Sequence, residues 1–195
     1  MELKDKIIVI TGGSQGFGKS LAGALKKEGA NIIISSHEKE NLELSAKELY
    51  TDSFIADVTS TEDVEKLAEY VIQKYGKIDV WVNNAGIQIA PSLAEEVNIE
   101  KLHYLFDVNF FGYFYGCQVA LTQMKKQNSG VILNINSTAG LDGKPGISAY
   151  SSSKFALKGL TESIRKEAKD LNIQVYEVFP GECKLIFIRK NILKT

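Results

Sequence analysis

Cysteine is scarce in this chain of 195 residues, and the two that occur, Cys117 and Cys183, lie far apart without metal-ligand spacing. Reduced, structural thiols are therefore expected, no metal site is read, and a cytoplasmic setting fits. An excess of charge is missing too. The 23 Lys and Arg stand against 24 Asp and Glu, a formal net charge of -1, and the lysines are scattered among acids. That removes the electrostatic case for nucleic acid or an anionic membrane as partner. No apolar run approaches a membrane span of ~20 residues. Met1-Glu-Leu-Lys-Asp also lacks the basic-then-apolar layout of a signal peptide, so the protein is expected to stay soluble where it is made. Repeats, low-complexity segments and linkers are absent. With 44% hydrophobic residues the chain is long enough for one well-buried core and too short for two ordinary domains, so residues 1–195 are expected to form a single domain.

What is present is an alternation of short apolar runs with helical patterns. Strands are expected at Ile7–Ile10, Ile32–Ser35, Ser53–Ala56, Val80–Asn83, Gly130–Ile135 and Gln174–Phe179. In the stretch Glu62–Tyr75, Val64, Leu67, Ala68, Val71 and Ile72 recur at helical spacing and make one apolar face for packing on a sheet. Crossovers between parallel strands are right-handed. The expected fold class is thus α/β, a Rossmann-like doubly wound parallel sheet in the order 3-2-1-4-5-6, with ligands outside the carboxyl ends of the strands.

Two local patterns carry chemistry. The first apolar run breaks into Thr11-Gly-Gly-Ser-Gln-Gly-Phe-Gly and then into a helical pattern. Gly12, Gly16 and Gly18 let the backbone turn sharply and approach a pyrophosphate, which the N–H groups and dipole of a helix N-terminus favour. The spacing is G-x-x-x-G-x-G, not the generic G-x-G-x-x-G, and alone it is weak evidence. The second pattern is Ala-Tyr-Ser-Ser-Ser-Lys-Phe-Ala-Leu, with Tyr150 and Lys154 four residues apart and Ser137 thirteen residues before the tyrosine. On a helix that spacing puts phenol and ammonium on one face. An ammonium beside a phenol favours the phenolate, which is what a tyrosine acid/base needs near neutrality. An isolated Tyr-x-x-x-Lys is more often a solvated helix face.

Together these motifs resemble the short-chain dehydrogenase/reductase family. Thr11 to Gly18 resembles its glycine turn, Asp57-Val58 its adenine contact, and Asn83-Asn84-Ala85-Gly86 its sheet-stabilising motif. Asn109, Ser137, Tyr150 and Lys154 resemble its catalytic tetrad, and Pro180-Gly181 its loop after the sixth strand. The likeness covers residues 4 to 182.

The resemblance implies hydride transfer between a nicotinamide and a carbonyl or alcohol carbon. In it, Tyr150 is the general acid/base, Lys154 lowers its pKa and holds the nicotinamide ribose, and Ser137 polarises the carbonyl. Asn109 supports a water-linked proton path, or is a structural amide in a helix interior. It further implies cofactor contacts from Gly12, Ser14, Gln15, Gly16, Phe17, Gly18, Val58, Asn84, Ala85, Gly86, Tyr150, Lys154, Pro180 and Gly181. The second strand ends in Ser35-Ser36-His37, where an acidic residue commonly holds the ribose diol of NAD. Ser36 offers no repulsion to a 2′-phosphate, and its hydroxyl and the His37 imidazole offer hydrogen bonds, so NADP is expected, with NAD the alternative. Asp57 meets the adenine or serves as a helix N-cap or turn aspartate.

The sequence departs from the family after Gly181. Leu185 stands where a nicotinamide-contacting Thr is usual, and the short tail to Thr195 leaves little for the substrate lid, so the usual seventh strand is expected to be absent. Leu185–Ile188 forms a strand or packs on the core in this reading. Two functions stay open: a carbonyl reductase or alcohol dehydrogenase, and a truncated, weakly active or inactive dinucleotide-binding protein acting through a partner. Substrate contacts are expected from Gln88–Ala94 and Leu141–Ile147, whose composition suggests a small or medium apolar carbonyl compound. A homodimer is expected through helices spanning Asn98–Gln127 and Ala149–Leu171.

Overall fold

A computed structural model of the chain describes residues 2–181. Six strands form one parallel sheet: β1 (Ile7–Thr11), β2 (Asn31–Ser36), β3 (Asp52–Ile55), β4 (Val80–Asn83), β5 (Gly130–Ile135) and β6 (Ile173–Val178). Their order is β3-β2-β1-β4-β5-β6, the order expected from the sequence. Each strand agrees with its sequence expectation to within one residue at either end. Phe179 falls outside β6, where the last ladder bond runs from the Asn136 N–H to the Val178 carbonyl just before Pro180, which has no N–H to donate.

Helices cover both faces. They are α1 (Gly16–Lys27), α2 (Lys39–Leu49), α3 (Thr61–Tyr75), α4 (Ile99–Phe106), α5 (Gly112–Gln127) and α6 (Ser148–Glu167). Every residue of β1 is buried because the sheet is covered on both sides. Successive side chains of a strand then serve different cores. Val9, Ile33, Trp81, Ile132 and Val175 pack with α3, α5 and α6, whereas Ile8, Ile10, Ile32, Ile34, Val80 and Val82 pack with α1 and α2.

Local signals explain the boundaries that position the site. Helix α3 starts where the Ser60 side chain accepts the Asp63 N–H, a cap worth about 1 kcal/mol, and stops at Gly76 in the left-handed region. Between α4 and α5 the chain does not run as one regular helix. Residues Asp107–Phe111 form a π-helical turn, so Asn109 sits in a local widening rather than in an ordinary helix interior. Helix α6 ends at Glu167, short of the expected Leu171. Tight turn bonds from the Lys169 N–H to Lys166 O and from the Leu171 N–H to Ala168 O bend the chain back toward β6. Cys117 is buried and unbridged, its thiol pushed up to about 12 by burial, beside Asn83 and Asn134. Cys183, Leu185, the segment Leu185–Ile188 and the expected missing seventh strand concern residues outside those described. Among the described residues no helix is long and apolar enough to cross a membrane, and no group of three His, Cys, Asp or Glu is placed to hold a metal ion.

Candidate active site

The glycine turn follows β1 directly and ends in α1. Gly12 has a φ of +64°, and a Cβ there would lie 2.7 Å from the Ala85 Cα, so the turn after β1 and the turn after β4 touch backbone to backbone. A Cβ on Gly18 would lie 2.3 Å from the Gly12 carbonyl oxygen, which lets α1 begin hard against the turn. Asn84 locks the two loops together. Its Nδ2 donates to the carbonyls of Thr11 and Gly12 at 2.9 and 3.0 Å, and the Thr11 hydroxyl accepts from the N–H groups of Asn84 and Ala85.

These loops wall a groove of about 420 Å³ at the carboxyl ends of the strands. Gly12, Ser14, Gln15, Gly16, Phe17, Gly18, Ser36, His37, Asp57, Val58, Asn84, Ala85 and Gly86 all line it. Glu38, Ala56, Ile87, Tyr104 and Val108 line it too, and sequence reading missed them. Glu38 directly follows His37 and was legible by position; Tyr104 and Val108 arrive from another part of the chain and carried no local signal. Helix α1 starts at the groove with no acidic residue in its first turn and no side-chain cap from Gln15, a helix N-terminus of the kind that suits an anion.

At the second strand's end, the Ser36 hydroxyl accepts the Glu38 N–H at 3.2 Å. The Glu38 carboxylate accepts from Asn41 Nδ2 at 2.6 Å and lies 3.9 Å from His37 Nε2. Asp57 is not the cap of α3, a role Ser60 takes. Its carboxylate folds onto the N–H and hydroxyl of Thr59, both at 2.9 Å, which makes it a turn aspartate that also faces the groove.

A second cluster lies past Gly86. A Cβ at Gly86 would meet Asn109 Oδ1 at 3.3 Å and Lys154 Nζ at 3.8 Å, so the groove's floor borders both side chains. Asn109 Nδ2 also donates to Ser153 Oγ at 3.3 Å, and Ser153 Oγ donates to the Tyr150 carbonyl at 2.8 Å. Tyr150 and Lys154 share one face of α6, with the ammonium nitrogen 5.7 Å from the Tyr150 ring centre. Lys154 is 3% exposed. Its Nζ donates to the Ile135 carbonyl at 3.4 Å and lies 5.1 Å from the ring centre of Tyr113, whose hydroxyl donates to that same carbonyl at 2.7 Å. Burial pushes the Lys154 amine down to about 8, and it pushes the Tyr113 phenol up.

Ser137 stands at the end of β5, half-buried, where its hydroxyl oxygen accepts the Ala139 N–H at 3.2 Å and keeps its own proton for another acceptor. Pro180 and Gly181 do not line the groove. They lie on the Ser137 side, where the Thr138 N–H donates to the Pro180 carbonyl at 3.2 Å and Gly181 packs against Thr138. The two expected substrate loops meet: the Ser92 N–H donates to the Gly146 carbonyl at 2.9 Å and Ser92 bridges Ile147.

Comparison with known proteins supports one family. The short chain dehydrogenase family model matches residues 6–194. The chain is 37% identical over 186 residues to the 3-oxoacyl-[acyl-carrier-protein] reductase FabG of Thermotoga maritima, covering 93% of this chain and 75% of that protein. An uncharacterized oxidoreductase of Staphylococcus saprophyticus is 33% identical over 187 residues, with 93% and 80% covered. Among solved structures, a short chain dehydrogenase/reductase from Burkholderia phymatum in complex with NAD superposes with a TM-score of 0.89 at 26% identity, covering 93% of this chain and 67% of that one. NAD+-bound xylitol dehydrogenase gives 0.88 at 32% identity, covering 93% and 72%. The fold, the groove at the strand ends and these likenesses agree, and the chain belongs to the short chain dehydrogenase family of oxidoreductases.

Proposed function

We propose that this protein is a single-domain oxidoreductase that interconverts a carbonyl and an alcohol with a nicotinamide dinucleotide, and that Tyr150 moves the proton. The observation that carries this reading is the meeting of the groove floor at Gly86 with Asn109 and Lys154, one helical turn from Tyr150. The glycine turn and the start of α1 hold the pyrophosphate, Asp57 and Val58 the adenine, and Asn84, Ala85 and Gly86 lie along the path to the nicotinamide. The bound dinucleotide supplies or accepts the hydride. Ser137 donates a hydrogen bond to the substrate oxygen, and such a pre-placed donor stabilises charge developing there. Tyr150 gives that oxygen its proton in reduction and takes it in oxidation. Below about pH 8 Lys154 is an ammonium, which favours the phenolate left when Tyr150 gives up its proton and offers donors to the nicotinamide ribose. Asn109 holds the loop at Ile87 in register with α6. Pro180 and Gly181, outside the groove and packed against Thr138, stand beside Ser137 on the nicotinamide side.

NADP is the preferred form in this reading, with NAD second, because Ser36 brings no carboxylate and its hydroxyl and His37 both line the groove. Glu38 opposes that preference, although Asn41 and His37 engage its oxygens. The substrate is a small or medium apolar carbonyl compound taken between the loops joined at Ser92 and Gly146. The protein works as a homodimer through α5, the π-helical turn before it and α6, where Phe114, Phe111 and Phe155 respectively expose their rings.

Fluorescence titration with NADPH and, separately, NADH tests the reading. Saturable binding, tighter for NADPH, is expected. Tyr150→Phe should keep that binding and lose turnover of a carbonyl panel by at least about 100-fold. A folded chain that binds neither dinucleotide would overturn the proposal.

A further inference from the structure

Lys154 is buried, yet among the described residues no carboxylate lies within ion-pair distance of it. A buried ammonium whose described neighbours are a carbonyl at 3.4 Å and two ring faces is expensive to keep charged. The nearest answer lies across the β5–β6 ladder. Glu177 pairs in register with Asn134, one residue before the end of the β5–β6 ladder, on the strand against which α6 packs. Its carboxylate accepts from Asn136 Nδ2 at 2.7 Å.

Asn136 is 4% exposed, and its one amide serves three groups. Besides Glu177, Nδ2 donates to the Lys154 carbonyl at 3.1 Å, and Oδ1 accepts the Ser137 N–H at 2.9 Å. A single side chain thereby joins the backbone of Ser137, the backbone of Lys154 and a half-buried carboxylate. We infer that Glu177 is the counter-charge that keeps Lys154 protonated, and that Asn136 is the positioning residue that holds this carboxylate in place while fixing Ser137 against α6.

The charges around the pair agree. Among the described residues, Glu177 is the group whose field favours the Lys154 ammonium against its burial. Burial pushes the Glu177 carboxyl up, against hydrogen bonds from Asn136 and from Thr161 on α6; Arg165 on the same helix favours its ionised form, and Glu162 opposes it. Arg165 is itself tied to the β6 backbone, its Nε donating to the Val175 carbonyl at 2.9 Å. The charges are therefore divided: Arg165 steadies the strand, and Glu177 serves the lysine.

The catalytic meaning of this pair rests on the oxidoreductase reading, but its electrostatics do not, so the test uses the free protein. The full chain is labelled with ¹³C at lysine Cε, the Lys154 resonance is identified by its loss in Lys154→Met, and its shift is followed against pH. Wild type should titrate near 8. Glu177→Gln, isosteric and neutral, should lower that midpoint by at least about half a unit, a factor of about three in the proton equilibrium. Glu177→Ala should move it the same way, with circular dichroism confirming the fold of both. An unmoved midpoint in a folded Glu177 variant overturns the counter-charge. Asn136→Ser should lower the midpoint too, and Glu177→Gln added to it should do little more, because both act through one carboxylate. A full Glu177 effect on top of Asn136→Ser overturns the positioning role. Failure of dinucleotide binding overturns the function proposed above and leaves these titrations readable.

Discussion

The side-chain amide of Asn109 and the backbone of Ile87 exchange two hydrogen bonds of 2.8 Å: the Ile87 N–H donates to Oδ1, and Nδ2 donates to the Ile87 carbonyl. Asn109 is fully buried in the π-helical turn, so this exchange gives the loop after β4 a strand-like partner where no strand follows.

Asn109→Ala should therefore destabilise the fold by about 2–3 kcal/mol, since it leaves the polar groups of Ile87 without their partner in the protein. Urea unfolding measures it. Asn109→Asp keeps the acceptor and loses the donor, and its midpoint should fall between wild type and alanine.

Lys154→Met should do the opposite. Burial lowers the amine from 10.5 to about 8, so below about pH 8 the folded state carries a buried charge that the unfolded chain solvates freely. Relief of that burden corresponds to about 3 kcal/mol at pH 7. The sign follows from proton counts. Between about 8 and 10.5 the unfolded chain binds more protons at this site, so wild-type stability rises with pH there and the advantage of the methionine variant shrinks. Paired denaturation curves across that window check it, and a variant less stable than wild type at pH 7 would contradict it.

Glu38→Gln should tighten NADPH about three- to tenfold, equivalent to roughly 0.7–1.4 kcal/mol, and leave NADH nearly unchanged. The carboxylate lines the groove beside Ser36 and His37, where it repels a 2′-phosphate and not a ribose hydroxyl. Equal effects on both dinucleotides would place the phosphate elsewhere.

Phe114→Glu should convert a dimer to a monomer in sedimentation velocity while dinucleotide binding persists. Phe114 on α5 is 43% exposed and Phe155 on α6 is 45% exposed, large rings that a second copy would cover. A wild-type chain that sediments as a monomer at micromolar concentration would remove the interface.

How much was legible in advance differs from element to element. The glycine turn declared itself because Gly12 and Gly18 sit where a Cβ meets neighbouring backbone, a constraint written into residue type. Tyr150 and Lys154 were legible because a spacing of four on a helix is local geometry. The π-helical turn at Asn109 was not, since its pattern of apolar residues is that of an ordinary helix and only the amide's partner at Ile87 accounts for the side chain's place. The end of α6 was also misjudged, because the return to β6 decides it.

By itself the sequence determined the alternation of strands and helices, the sheet order and the family, for these are carried by periodicity, glycine placement and motifs of near neighbours along the chain. Tertiary structure alone decided the company that Lys154 keeps. Tyr113, Ile135, Asn136 and Glu177 come from α5, β5, the turn after it and β6, and no local pattern records which of them share a corner. Strand register and burial bring them together, and burial is what turns an ordinary lysine into one that titrates near 8.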